Sequence, residues 1–134
     1  MADAVSTTTI EDGPRQLVVQ LTNLSDSTGE AKVTKIDVSA LASDNLGNAC
    51  NEVRIQEIWA QVYGFDGVQL WYDADTDVVA FNAGVGWTHQ DLTTVGGLKM
   101  YGTNATGDIL LSTLGTEASG DAYQIVIRAV KYYA

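Results

Sequence analysis

Thirteen glycines and one proline divide this 134-residue chain into short runs rich in Val, Ile, Thr, Tyr and Trp. β-Branched and aromatic side chains favour strands, and glycine-containing turns reverse the chain between them. Short strands that follow one another in this way are typical of an all-β sandwich or barrel. The count of about eight to nine runs predicts an all-β fold, a jelly-roll-like or related antiparallel β-sandwich with a short N-terminal arm.

Alternation of apolar and polar residues predicts which side chains form the core. In segments 15–24 and 122–133, apolar residues recur at every second position, as in a strand with one buried face. Shorter runs around positions 55, 70 and 109 have the composition of further strands. The predicted core residues are Leu17, Val19, Leu21, Ile55, Leu70, Ile109, Ile125 and Ile127.

Two segments carry weaker patterns. In 51–63 the apolar residues recur at helical spacing, whereas the β-branched and aromatic composition is that of a strand. A hairpin-like turn follows at 64–67, so we predict a long strand with a β-bulge near Glu57 that absorbs the change of parity. The glycine-rich segment 82–97 predicts a long loop.

Residues 1–13 are small and polar, and we predict an N-terminal arm that contains a short edge strand at Ser6–Ile10. Pro14 has no amide donor, so it is expected to begin the first strand of a single sandwich domain, residues 14–134. The arm has few large apolar side chains, so we expect it to contribute to attachment to a neighbour and not to folding. Its predicted partner contacts are Ser6, Thr8 and Ile10.

The charge balance excludes several classes of partner. Seventeen Asp and Glu against seven Lys and Arg give a net charge of −10, spread along the chain. Such a protein repels the phosphate backbone of nucleic acids and the anionic surface of membranes. No apolar run approaches the roughly 18 residues of a membrane span, and residues 1–10 lack the features of a secretory signal. We therefore expect no nucleic-acid or membrane partner.

Catalytic residue sets are sparse. Cys50, His89 and Asp91 are the one set that imitates a Cys–His–Asp nucleophile system, but no local motif places Cys50 near His89. A single Cys and a single His exclude the familiar zinc sites, which need several of these ligands. We predict that the protein is not an enzyme and holds no cofactor or metal.

Asp73, Asp75 and Asp77 place three carboxylates at alternate positions, the spacing at which a calcium loop begins. The EF-hand pattern then fails, because Val78 stands at the position of its glycine and Gly84 at that of its glutamate. A solvated hairpin tip is the simpler interpretation, and a calcium site outside the EF-hand class stays open.

Three tryptophans and six tyrosines are enough to build a sugar-binding or protein-binding platform. We expect Trp59 and Trp71 to lie in the core or at its edge. Trp87 stands in the glycine-rich segment, so we expect it to be exposed and to contact a partner.

Five segments from Val53 onward carry a family resemblance. They are Val53–Trp59, Gly67–Asp73, Val95–Leu98, Thr106–Thr113 and Gly120–Ile127. In this order they resemble virion structural proteins of tailed bacteriophages, of the capsid decoration or cement kind. The resemblance implies a non-enzymatic protein, made in the host cytoplasm, that sits as a homotrimer on the major capsid protein and stabilises the shell. The alternative is a carbohydrate- or receptor-binding module on the phage head or tail.

Overall fold

The computed structural model describes residues 4–26, 30–99, 101–115 and 119–133. They form two antiparallel β-sheets packed face to face, one of five strands and one of four. The strands are β1 (Ala4–Asp12), β2 (Gln16–Asp26), β3 (Val33–Ile36), β4 (Cys50–Tyr63), β5 (Gly67–Tyr72), β6 (Val78–Ala83), β7 (Gly86–Asp91), β8 (Ile109–Leu114) and β9 (Ser119–Tyr133).

The order of the strands is that of a jelly roll. The larger sheet runs β1-β2-β9-β4-β7, and the smaller sheet runs β3-β8-β5-β6. Strands β2 to β9 make the two Greek keys of an eight-stranded jelly roll, and β1 is added outside β2. The predicted fold class is therefore confirmed.

The core lies between the two sheets and is formed by the inward-facing residues of both. All eight residues that the alternation pattern predicts to be in the core are at most 3% exposed. Phe65, at the turn between β4 and β5, joins them and packs against Tyr123 with ring centroids 6.3 Å apart. Alternation along each strand thus explains the core, because one face of each central strand is removed from water.

Strand β4 contains the bulge that the sequence predicts. Its pairing with β9 shifts register between Ile55 and Glu57, so that Ile55 and Ile58 both point inward. Because of the extra residue, Ile55 and Ile58 both face inward although they are three positions apart. The same spacing occurs on one face of a helix, which is why the sequence pattern of this segment also resembles a helix. The prediction of a long bulged strand is confirmed.

The prediction of a long loop over 82–97 is wrong. Residues Gly86–Asp91 form β7, which pairs antiparallel with β4 from Val62 to Glu57. Strand β7 lies at the edge of the larger sheet, and most of its side chains are exposed. An edge strand of this kind has no buried face, so its sequence shows no apolar alternation.

Helical structure in the described ranges consists of two short 3₁₀ turns, Val38–Ala40 and Thr93–Val95. Within the residues that the structure describes, no helix has the length and apolar composition needed to cross a membrane.

The segment predicted as an arm with a short edge strand at Ser6–Ile10 does form an edge strand, but this strand is longer than predicted and is paired into the larger sheet. Strand β1 covers Ala4–Asp12, and it pairs with β2 over almost its full length. The Gly13 amide donates to the Gln16 carbonyl at 3.0 Å and closes the hairpin. Pro14 therefore lies in the turn between two strands instead of beginning the first one. The Ser- and Thr-rich composition is sufficient for a strand because the segment needs no buried face.

Residues 12–14 also contact β9 and the segment that follows the first 3₁₀ turn. The Lys131 ammonium group is fully buried and forms an ion pair with the Asp12 carboxylate. The same carboxylate accepts a hydrogen bond from the Ala42 amide at 3.0 Å. The Tyr133 hydroxyl donates to the Pro14 carbonyl. The ion pair between Asp12 and the buried Lys131 thus joins residues on the two sides of the boundary that was predicted at Pro14.

Candidate functional site

The most exposed strand of the sandwich is β1. Residues 5–12 are exposed on both faces of the strand. Ser6 points to the outer face, where its Oγ lies 2.6 Å from Thr22 Oγ1. Val5 pairs with the buried Asn23 and so points toward the second sheet, yet it is 47% exposed. Strand β1 therefore extends beyond the cover of the second sheet.

Over its first six residues, Ala4 to Thr9, the outer edge of β1 lacks the usual protection against pairing with another strand, and the bulge at Ile10 and the charges of Glu11 and Asp12 come only after them. Proteins normally protect such edges with charges, proline or strand irregularity. From Ala4 to Thr9 the strand carries no charge, no proline and no bulge. In the described residues this edge pairs with no other strand. We call residues 4–10 the free edge; their backbone is a template for an incoming strand.

The predicted contacts Ser6, Thr8 and Ile10 all lie on the free edge. Thr8 lies opposite Gln20 on the outer face, as Ser6 lies opposite Thr22. Ile10 is the extra residue of a bulge between Thr9 and Glu11, and its side chain is 58% exposed. An exposed isoleucine beside an open strand edge suits contact with a partner.

A second feature crosses the outer face of the larger sheet. Two adjoining clefts of about 110 and 440 Å³ share Gln61 and Gln124 as lining residues. Together we call them the outer-face groove. Its exposed or half-buried aromatic side chains are Trp59 and Trp87 at one end and Tyr63 at the other, and the buried Tyr123 also lines the larger cleft. Trp87 is 66% exposed, as predicted.

Trp59 is held in position by a stacked histidine that is itself bonded to neighbouring side chains. The His89 ring stacks on it with centroids 5.3 Å apart and planes 10° apart. His89 Nε2 lies 2.8 Å from Glu57 Oε2, and Arg128 Nη2 donates to Glu57 Oε1 at 3.1 Å. This chain of contacts fixes the ring before any ligand arrives, which reduces the entropy lost on binding.

Trp59 and Trp71, which were expected in the core or at its edge, do not lie between the sheets. Each is half-buried on the outer face of its sheet. The Lys32 ammonium lies 4.4 Å from the centre of the Trp71 ring, a cation–π contact. Once the bulge in β4 is placed, Ile58 and Val62 point inward, and Trp59 and Gln61 point outward. The alternation of the sequence after the bulge is therefore sufficient to predict that Trp59 and Gln61 lie on the outer face. The contribution of Gln124 from β9 depends on the register between strands and has no local signal.

The structure does not bring Cys50, His89 and Asp91 together. Cys50 lies at one end of β4 and is buried, whereas His89 pairs opposite Trp59, nine residues further along. At about 3.3 Å per residue, that separates them by roughly 30 Å. Asp91 accepts hydrogen bonds from the amide and hydroxyl of Thr93, and these bonds lower the pKa of its carboxyl group.

The Cys50 thiol is expected to be unreactive in the folded protein. Burial raises its pKa, so the nucleophilic thiolate is scarce at neutral pH. Alkylation by iodoacetamide near neutral pH should be at least about tenfold slower in the native protein than in urea. Cys50→Ala measures the background, since the chain has no other cysteine. Equal rates in the two states would contradict the assignment of Cys50 to the core.

The three aspartates after β5 have separate partners. Asp73 accepts from the Thr106 hydroxyl at 3.0 Å, and Asp75 accepts from the Asn104 side-chain amide at 2.7 Å. Asp77 accepts from the Ala74 amide, which lowers the pKa of its carboxyl group, and also pairs with Lys32. Across the described residues, no group of three or more His, Cys, Asp or Glu side chains is arranged to hold a metal ion. The carboxylates thus join the turn after β5 to the loop before β8.

The fold and these surfaces define a jelly-roll protein with an open strand edge and a polar-aromatic groove. No protein-family model, curated protein sequence or solved structure matches the chain.

Proposed function

We propose that this protein is a non-enzymatic subunit of a tailed-bacteriophage virion, a decoration protein that binds the outer surface of the major capsid shell and stabilises it. The observation that carries the proposal is the free edge of β1. A nine-residue strand with one unpaired side can add to a strand of a neighbouring subunit, and main-chain hydrogen bonds then provide affinity without a pocket.

The chemistry of the free edge supports a protein partner. Threonine and serine dominate it, and Val5 and Ile10 add exposed apolar surface at its two ends. The ion pair between Asp12 and Lys131 anchors the strand at its base, so the free edge is presented in a fixed direction. A rigid edge loses little conformational entropy when a second strand joins it.

The rest of the molecule suits a subunit that stands on a shell. A net charge of −10 keeps the exposed surface hydrated and discourages unspecific association. The jelly roll completes its core within one chain, so the free edge remains available for the shell or for a second copy of the protein. The proposed oligomer is the homotrimer that the family resemblance implies.

The proposal is tested by co-sedimentation of the purified protein with empty shells of the phage that encodes it. Thr7→Lys places a charge in the middle of the free edge at an exposed position, and it should weaken binding about tenfold or more without loss of folding. Val95→Lys is the matched control, since Val95 is 71% exposed in a turn far from β1 in sequence.

Three results are distinguishable. Loss of binding for Thr7→Lys with retention for Val95→Lys supports the proposal. Equal binding of both variants to shells shows that the free edge does not contribute to attachment. A wild-type protein that fails to sediment with shells at all overturns the decoration role itself.

A further inference from the structure

We infer that the outer-face groove is a binding site for an uncharged oligosaccharide. The inference concerns a different surface from the free edge, because the groove lies on the outer face of β2, β9, β4 and β7, whereas the free edge is the unpaired backbone side of β1. A protein displayed on a virion would then carry a second, sugar-directed surface.

The exposed rings of Trp87 and Tyr63 supply the stacking surface that a sugar ring needs, and Trp59, one face of which is covered by His89, borders it. Trp59 and Trp87 line the smaller cleft together, and Tyr63, 56% exposed, lines the larger. Trp59 and Tyr63 are four residues apart on β4, which corresponds to about 13 Å along the strand. That spacing suits a short oligosaccharide better than a single sugar.

The polar groups of the groove match the hydroxyls of a sugar. Gln61 and Gln124 lie opposite each other on β4 and β9, and both line both clefts. Thr22 adds a hydroxyl from β2. An amide side chain donates and accepts at once, so it pairs with a hydroxyl group, which also does both. The larger cleft is thus rich in hydrogen-bonding groups, which suits a ligand with many hydroxyls.

The charges around the groove select against an ionic ligand. Its lining side chains carry no formal charge. The nearby carboxylates are already engaged: Glu57 by Arg128 and His89, and Asp91 by Thr93. The net charge of −10 repels acidic sugars over longer distances. The ligand class that remains is a neutral glycan.

The test uses the three tryptophan indole N–H signals of ¹⁵N-labelled protein in NMR spectra. Trp71 lies on the other sheet and serves as an internal control. Maltotetraose, cellotetraose and mannotriose are titrated to millimolar concentration as neutral probes, with tetragalacturonate as the acidic comparison. At least one neutral probe should shift the Trp59 and Trp87 signals and leave Trp71 unchanged, and tetragalacturonate should shift none.

Variants show whether the shifts come from the groove. Trp87→Ala and Gln61→Ala should each weaken binding of the active probe about tenfold. Tyr101→Ala removes an aromatic residue that is 73% exposed outside the groove and should change nothing. The inference is overturned if no neutral probe shifts the two signals, or if Trp87→Ala binds as well as the wild type. Thr7→Lys should retain sugar binding, so failure of either proposal leaves the other standing.

Discussion

Asp12→Ala is expected to lower the free energy of unfolding by about 3 kcal/mol, a large loss for a residue near the end of a chain. The reason is the partner that it leaves behind. The Lys131 side chain is fully buried, and Asp12 is the carboxylate paired with it. Removal of the partly exposed Asp12 carboxylate leaves the buried Lys131 charge uncompensated, and the backbone carbonyl of Ala42, 3.3 Å from Lys131 Nζ, compensates only in part.

Urea denaturation followed by circular dichroism measures this loss, since a change in midpoint at constant slope reports stability. Glu11→Ala is the matched control, because Glu11 is exposed and adjacent; it should change stability by no more than about 0.5 kcal/mol. Asp12→Ala combined with Lys131→Met should recover most of the loss, since an apolar side chain needs no partner. If Asp12→Ala is as stable as Glu11→Ala, the buried pair does not anchor β1.

Glu30→Gln is expected to produce a loss of similar size, about 3 kcal/mol. The Glu30 side chain is 5% exposed; its Oε2 forms an ion pair with the Lys35 ammonium at 2.5 Å, and its Oε1 accepts hydrogen bonds from the Tyr123 hydroxyl at 2.5 Å and the Asn23 amide at 2.8 Å. Glutamine keeps the shape but leaves the Lys35 charge unpaired in the interior.

The matched comparison is Lys32→Gln, which breaks an ion pair with Asp77 at the surface. The Lys32 side chain is 46% exposed, so the loss should be about 1 kcal/mol or less, even with its contact to Trp71. Thermal denaturation at matched pH gives both values. A Glu30→Gln variant no less stable than Lys32→Gln would show that the buried cluster contributes little.

The core was predictable because each central strand has one face against the other sheet. Leu17, Val19 and Leu21 recur at every second position. Burial of one strand face is sufficient to produce this pattern, so the pattern identifies the buried residues. The bulge in β4 was predictable for the same reason, since Ile55 and Ile58 can face the core together only if one residue is added between them.

The edge strands were harder to predict for a physical reason. Strand β7 and strand β1 have little or no buried face, so their sequences carry no alternation to detect. The outer-face groove and the pair between Asp12 and Lys131 join residues from strands distant in sequence. Such contacts depend on sheet register, which is set by the whole fold and leaves no local pattern.

Hydrogen–deuterium exchange of the free and shell-bound protein tests the role of β1 most directly. In the free protein, the outward-facing amides of residues 4–10 have no strand partner and should exchange rapidly. On shells, peptides that cover these residues should become protected, while peptides from β7, the opposite edge of the same sheet, should not change. Protection elsewhere with unchanged exchange at residues 4–10 would contradict the account.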